Sequence, residues 1–320
     1  MSIRCLIIGL GQIGMEYDLN LNPADCIYTH ARAAAEHPAF EICAAVDSSP
    51  ARRAIFERIY GCAAYASVAS AAAVVDAELV ILATPTSTHL EVLIEVLSST
   101  RPEVILCEKP LSYDLADAKR IVELSDEAGV SLFVNYMRRA DVGAIEIKHR
   151  IDSGRLHTPV KGVAWYSKGY FHNGSHVFNL LEFWLGPYIC SKKLNPGRLW
   201  EGLDPEPDIL VEFKGGSVIF RSAWEEAFSH YTIELLSHSG RLRYDKGGEL
   251  IELQSVVCDS GTRLLGDRKE FIPTSMNRYQ WQVFEQIAQY FAGTPVTLCS
   301  GLEAYTTLEA MHESIIGSEL

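Results

Sequence analysis

The chain has 320 residues, 48% of them hydrophobic and 22% charged, with a formal net charge of -13. That length supports two ordinary domains with substantial cores, and the composition excludes a largely disordered chain. The acidic balance, with no clustered basic surface, leaves neither nucleic acid nor an anionic membrane as an expected partner.

Met1-Ser2-Ile3-Arg4 leads straight into a strand, with no leader pattern. No apolar run approaches the roughly 18 residues of a membrane span. Eight cysteines (5, 26, 43, 62, 107, 190, 258 and 299) are scattered without a C-x-x-C pair, and several fall in apolar runs. They read as small hydrophobes in a reducing compartment, and a cytoplasmic location is expected.

Short apolar runs at residues 5–8, 42–46, 79–82, 104–106 and 132–134 alternate with amphipathic segments. That alternation predicts βαβ units and a doubly wound parallel sheet of the Rossmann type over residues 1–136. The first run is followed by Gly9-Leu10-Gly11-Gln12-Ile13-Gly14. Here Gly9 supplies a tight turn, Gly11 close approach of a pyrophosphate and Gly14 close helix packing, while backbone N–H groups of the loop, Gln12 and Ile13 included, face the phosphates. Residues 15–29 carry turn formers without helical periodicity and read as an inserted loop before a helix beginning near His30, either bordering the ligand or running over the surface.

Asp47, at the end of the second strand, is the expected partner of the ribose hydroxyls, which favours NAD over NADP. Arg52 and Arg53 stand in the next helix, where either could approach a 2′-phosphate or simply face solvent. Ala83-Thr84-Pro85-Thr86-Ser87-Thr88-His89 and Glu108-Lys109-Pro110 end two further strands, at the carboxyl edge where open α/β sheets bind ligands. An apolar strand ending in two charges marks Glu108 and Lys109 as chemical groups. Thr84, Pro85, Thr86, His89 and Glu108 are expected to border the cofactor, and Lys109 to move a proton. Asn135 and Arg138 follow the next strand as candidate substrate contacts; of the adjacent Arg138 and Arg139 only one is expected to face the cleft, the other pairing in a salt bridge at the domain hinge.

Residues 137–320 change pattern: a helix at 140–151, a hairpin of 208–213 and 217–220 about Lys214-Gly215-Gly216, strands at 231–236 and 241–244, then helices at 278–291 and 301–316. This half is expected to be an α+β domain with an open, mostly antiparallel sheet that binds substrate. No His/Cys/Asp cluster has metal-ligand spacing, so no metal is expected.

Together the glycine loop, Thr84 to His89, Glu108-Lys109-Pro110 and the run Gly169 to Asn179 resemble the Gfo/Idh/MocA family of NAD(P)-dependent oxidoreductases, named for glucose-fructose oxidoreductase and inositol dehydrogenase. The resemblance covers nearly the whole chain. It implies that Lys109 is both cofactor contact and acid/base, and that His176 assists it. The family's second-domain pattern is Asp-x-Gly-x-His-x-x-Asp; here Gly174 and His176 are present, but His172 and Asn179 stand where the aspartates would be. His172, Asn173 and Asn179 are accordingly expected as substrate ligands.

The expected activity is hydride transfer between NAD and a carbinol carbon of a sugar, nucleotide sugar, sugar acid or inositol, by a homodimer or homotetramer. A looser likeness links the second-domain motif and the extended loop to surface-polysaccharide synthesis. Two other outcomes are open: transient oxidation serving epimerisation or glycoside elimination without net redox, and a non-catalytic regulator that binds NAD or sugar.

Overall fold

A computed structural model describes residues 2–225, 227–259 and 261–316. The chain forms two compact units, Met1–Ala140 with Asn277–Tyr305, and Asp141–Met276 with Thr306–Leu320.

The first unit carries β1 (Ile3–Ile8), α1 (His30–Glu36), β2 (Phe40–Val46), α2 (Pro50–Tyr60), β3 (Ala64–Tyr65), α3 (Val68–Ala72), β4 (Leu79–Leu82), α4 (His89–Ser99), β5 (Val104–Cys107), α5 (Leu115–Glu127) and β6 (Ser131–Val134). It also holds α8 (Tyr279–Phe291) and β16 (Cys299–Ser300). Among the described residues its sheet runs β16-β6-β5-β4-β1-β2-β3, parallel except for β16. Strand order reverses between β1 and β4, the switch point at which doubly wound sheets bind ligands. Every residue of β4 and β5 is buried, as expected of strands covered on both faces. Capping sets the helix starts: Ser49 accepts from Arg52 N with Pro50 in the first turn of α2, and Asp114 accepts from Ala116 N and Asp117 N at α5.

The compact units do not coincide with a single cut after Tyr136. Val283, Phe284 and Ile287 of α8 are fully buried in the core of the first unit, and the Phe284 ring meets Phe40 edge-on at 4.9 Å. The apolar stripe of α8, near the end of the chain, thus completes a core begun at residue 3, which no local pattern announces.

The second unit carries α6 (Val142–Asp152), β7 (Val160–Tyr166), α7 (Ser175–Leu185), β8 (Tyr188–Trp200), β9 (Asp204–Phe213), β10 (Gly216–Ser222), β11 (Tyr231–Ser237), β12 (Gly240–Asp245), β13 (Leu250–Asp259), β14 (Thr262–Leu265) and β15 (Glu270–Ile272). The final helix, α9 (Gly301–Ile316), passes from the first unit into the second. The sheet order is β14-β13-β12-β11-β7-β10-β9-β8, with β15 on β13. Its pairs are antiparallel except β7 with β10, where Gly216 aligns with Val160 and Ser222 with Tyr166. The β9–β10 hairpin forms as anticipated, turning on Lys214 and Gly215. One face packs Trp184, Tyr166, Tyr170, Phe178, Phe220 and Tyr244 into a continuous core, each full burial contributing about 1.5–3 kcal/mol. Asp141 caps α6 through Gly143 N and Ala144 N, and also accepts from Ser275 N and Oγ.

Candidate functional site

The loop after β1 is shaped as its glycines demand. Gly9 has φ +97°, and a Cβ there would lie 2.5 Å from Ala83 O; one on Gly14 would lie 2.0 Å from Gly9 O. At Gly11 the nearest atoms to a Cβ belong to the Arg52 guanidinium, 3.9–4.0 Å away, so a flexible side chain rather than backbone stands over this face of the loop. Residues Gln12–Glu16 make a single wide turn in which Gly11 O accepts from both Met15 N (2.8 Å) and Glu16 N (3.1 Å). Gln12 is exposed at its start, and Ile13 packs on the core. The cradle fits a dinucleotide pyrophosphate, bringing backbone donors to one surface.

Residues 15–29 form an organised excursion. Its centre is Asp18, fully buried, whose carboxylate accepts from Tyr28 N (2.7 Å), Thr29 N (3.0 Å) and Thr29 Oγ1 (2.8 Å) and pairs with Arg32 Nε at 3.4 Å. Arg32 also donates to Leu21 O and Asp18 O. Thr29 then caps α1 by accepting from Arg32 N, which places His30 at the first position of that helix.

Asp47 ends β2 with one oxygen accepting from Leu10 N (2.8 Å) and the other from Ser49 N (2.8 Å). It therefore fixes the glycine loop, and each oxygen retains a second lone pair for a ribose hydroxyl. Arg53 donates to Asp47 O and Ser48 O, while Arg52 donates to Glu16.

Beyond β4, the Thr84 hydroxyl is buried with no hydrogen-bond partner among the described residues, a group placed to meet a ligand. Pro85 is exposed and Thr86 half-buried beside it. His89 has a different place from the cofactor contact expected of it. Its ring is buried, with Nε2 3.0 Å from Thr84 O and Nδ1 3.1 Å from Leu111 O and 3.5 Å from Cys107 Sγ. Burial pushes the imidazole below its usual pKa and the Cys107 thiol well above its own. Each ring nitrogen faces a backbone carbonyl, Thr84 O at Nε2 and Leu111 O at Nδ1, and a neutral ring donates to one of them, so His89 braces the loop from beneath.

Glu108 and Lys109 follow β5 directly, Glu108 N still pairing with Leu82 O. Lys109 is half-buried, and its backbone N–H lies 3.3 Å from Glu108 Oε2. Glu108 Oε1 meets His30 Nε2 at 2.8 Å and Asn135 Nδ2 at 2.6 Å. Behind them Gln280, fully buried on α8, closes the ring: Asn135 Nδ2 donates to its Oε1 (3.2 Å) and its Nε2 reaches His30 Nδ1 (2.7 Å). One assignment fits: the amide of Gln280 donates to Nδ1, so His30 carries its hydrogen on Nε2 and gives it to Glu108. Burial alone would raise the Glu108 carboxyl, but the His30 and Asn135 hydrogen bonds and the charge of Lys109 outweigh it and hold the group below the usual carboxylate range.

Neither His30 nor Gln280 stands out in the sequence; only the cap at Thr29 and the buried stripe of α8 hinted at them. Asn135 Oδ1 has no partner among the described residues and is available to a ligand. Arg138 is half-buried just beyond it, and Arg139 pairs with Glu303 at 2.7 Å within the same unit.

In the second unit, Gly169–Gly174 form a wide turn that runs into α7. Asp204, at the start of β9, accepts from Phe171 N (3.0 Å) and His172 N (2.8 Å), and the buried Glu206 accepts from Gly169 N (3.1 Å) while pairing with Arg198 (2.8 Å). A carboxylate absent from the motif's own aspartate position thus reaches the same turn from another strand, a residue that sequence reasoning missed. It binds backbone rather than an imidazole. The His172 ring stacks on Trp200 at 5.1 Å and 25°. Asn173 Nδ2 closes the turn on Ser167 O, and Asn179, almost fully buried, donates to Thr307 Oγ1 at 3.1 Å. Both asparagines thereby do structural work that their reading as substrate ligands did not include. His176, the second residue of α7, is buried.

Among the described residues no group of three or more His, Cys, Asp or Glu side chains could hold a metal, and no helix is long and apolar enough to cross a membrane.

Residues 3–136 match the family described as "Oxidoreductase family, NAD-binding Rossmann fold". An inositol 2-dehydrogenase from Streptomyces avermitilis is 27% identical over 305 residues, covering 89% of this chain and 79% of that protein. A candidate NADPH-dependent oxidoreductase from Desulfitobacterium hafniense superposes with a TM-score of 0.81 at 19% identity, covering 98% of this chain and 95% of that one. The WlbA dehydrogenase from Bordetella pertussis, solved with NADH and UDP-GlcNAcA, gives 0.75 at 18% identity over 98% and 95%. These last two share the fold. With its glycine cradle and Glu-Lys-Pro edge on one Rossmann sheet, residues 3–136 match the Gfo/Idh/MocA family of NAD-binding oxidoreductases.

Proposed function

We propose that this chain is an NAD-dependent dehydrogenase acting on a CH–OH group of a sugar-like substrate, with Lys109 as the acid/base. One observation carries the reading: Glu108 and Lys109 end β5, two strands from the β1 end that bears the glycine loop, on the same carboxyl edge of the sheet. The nicotinamide, when bound, accepts or returns the hydride. Lys109 takes the hydroxyl proton as the carbinol is oxidised and returns it in reduction, a role in which a positively charged ring nearby favours the neutral amine. Glu108 stays ionised and sets the charge at the lysine's base. Asn135, with an open carbonyl oxygen, and Arg138 are proposed to meet the substrate; His176 is proposed as a second proton-handling group and His172 as a substrate ligand.

The substrate class rests on the relatives: the Streptomyces avermitilis protein is named for inositol, and the Bordetella pertussis structure holds a UDP-sugar acid. A homodimer or homotetramer is proposed from the outer face of the second sheet, where Val163, Trp165 and Leu236 are exposed. All eight cysteines are free thiols, which suits the reducing cytoplasm proposed for the protein.

The test is NADH formation across nucleotide sugars, sugar acids and inositols, with Lys109→Ala alongside. Turnover by the parent and its loss in the variant are expected; equal turnover would remove Lys109 from the chemistry. The non-aspartate residues at 172 and 179 are compatible with a second reading, transient oxidation with return of the hydride. Cofactor-dependent epimer or elimination products without net NADH would select it.

A further inference from the structure

Glu16 and Arg52 form an ion pair where stability gives little reason for one. Arg52 Nε lies 3.0 Å from Glu16 Oε1 and the Arg52 NH2 group 3.5 Å from Oε2, yet the side chains are 41% and 24% exposed, and ion pairs this exposed add little to folding. Their position is more informative. The guanidinium lies 3.9–4.0 Å from where a Gly11 Cβ would be, over the face of the loop that a pyrophosphate must approach. Glu16 belongs to the turn issuing from that loop, and Asp47, the ribose-side carboxylate, also acts on the Arg52 charge.

In Rossmann sites an acidic residue after the second strand bonds the ribose 2′-hydroxyl, whereas a nearby arginine accommodates a 2′-phosphate. This chain has both kinds of residue, so the outcome depends on what the arginines already hold. Arg53 is turned onto Asp47 O (2.7 Å) and Ser48 O (3.1 Å). Arg52 is held by Glu16, and the pair presents a cation whose charge is already matched.

We propose that Glu16 is a cofactor-specificity residue: by holding Arg52 over the glycine loop it withholds the guanidinium a 2′-phosphate would need, and so favours NAD over NADP. The residue lies in the inserted segment at 15–29, so part of that insertion's role is to decide which nicotinamide cofactor is accepted. This inference rests on the cofactor reading of the glycine cradle and is independent of the substrate.

The experiment measures dissociation constants for NADH and NADPH by calorimetry on the full chain, for the parent, E16Q, R52Q and the double variant. The parent should prefer NADH. E16Q should keep its NADH affinity, which also reports correct folding, while its NADPH affinity rises on the order of tenfold as a charge-assisted phosphate contact forms. R52Q in the E16Q background should cancel that gain. A parent that prefers NADPH, an unchanged cofactor ratio in E16Q, or a gain that survives R52Q would each overturn the proposal. Glu16→Ala repeats the test should E16Q lose NADH binding through misfolding. A folded parent that binds neither nucleotide would instead remove the cradle reading itself.

Discussion

The surroundings of Glu108 and of Asp204 each hold one carboxylate against several donors, and they do so by opposite means. Glu108 is met by side chains: His30 and Asn135 directly, Gln280 behind them. Asp204 is met by backbone N–H groups of one turn, from Phe171 and His172. The ionised form is favoured in the first case, while burial pushes Asp204 above the usual carboxylate range despite its backbone bonds. A carboxylate ringed by oriented side chains can keep its charge for chemistry; one bonded only to backbone mainly shapes a loop.

The largest expected effect separates the two regions by chemistry. Lys109→Ala should lower kcat by about 10²–10⁴ while NADH binding by calorimetry weakens far less, whereas Asp204→Asn should act mainly on folding. Next, His30→Ala leaves a buried carboxylate without a main partner and should cost about 3 kcal/mol in urea unfolding. Asp204→Asn keeps one acceptor for the turn and should cost about 1–2 kcal/mol by the same measurement. If the two variants lost equal stability, the distinction between side-chain and backbone support would fail. Trp200→Ala, which removes only the stack on His172, should cost about 0.5–1.5 kcal/mol.

The smallest effect carries the clearest sign. A carboxyl lowered in the folded state, such as Glu108, contributes stability that is present above its unfolded pKa and lost as pH falls through its folded value. Asp204 is raised, so the native state takes its proton first, and its contribution grows as pH falls from the folded value toward the unfolded one. Followed as urea midpoints between about pH 3 and pH 6, Glu108→Gln should flatten the acid-side loss of stability and Asp204→Asn should steepen it. Shifts of the same sign in both would contradict the comparison.

The parts legible in the sequence were those decided by near neighbours. The continuous apolar strands β4 and β5 and the stripe of α9 at Gly301–Ile316 form where their patterns put them. The long irregular β8, interrupted around Pro196 and Gly197, and the parallel pairing of β7 with β10 have no such local signature. The same limit applies at the site. The glycine loop and Lys109 announce themselves through position along the strand. The bonds that tune them reach across 78 residues from Glu108 to His30 and 250 from His30 to Gln280, far beyond any helical or strand period. His89 shows the converse, a histidine in a telling place whose ring turned out to serve the scaffold.

The four-residue ring around Glu108 also has a direction. Hydrogens pass from the Gln280 amide to His30 and from His30 to Glu108, and Asn135 must show its amino group to both neighbours for the sequence to close. Gln280→Glu would change a single atom on α8, yet a carboxylate there has no hydrogen to offer His30. Flanked by a carboxylate on each side, the imidazole would take up a second proton and donate from both nitrogens. A substitution at the far end of the chain would thus be read beside the lysine as a change in charge, with no atom of the sheet's carboxyl edge replaced.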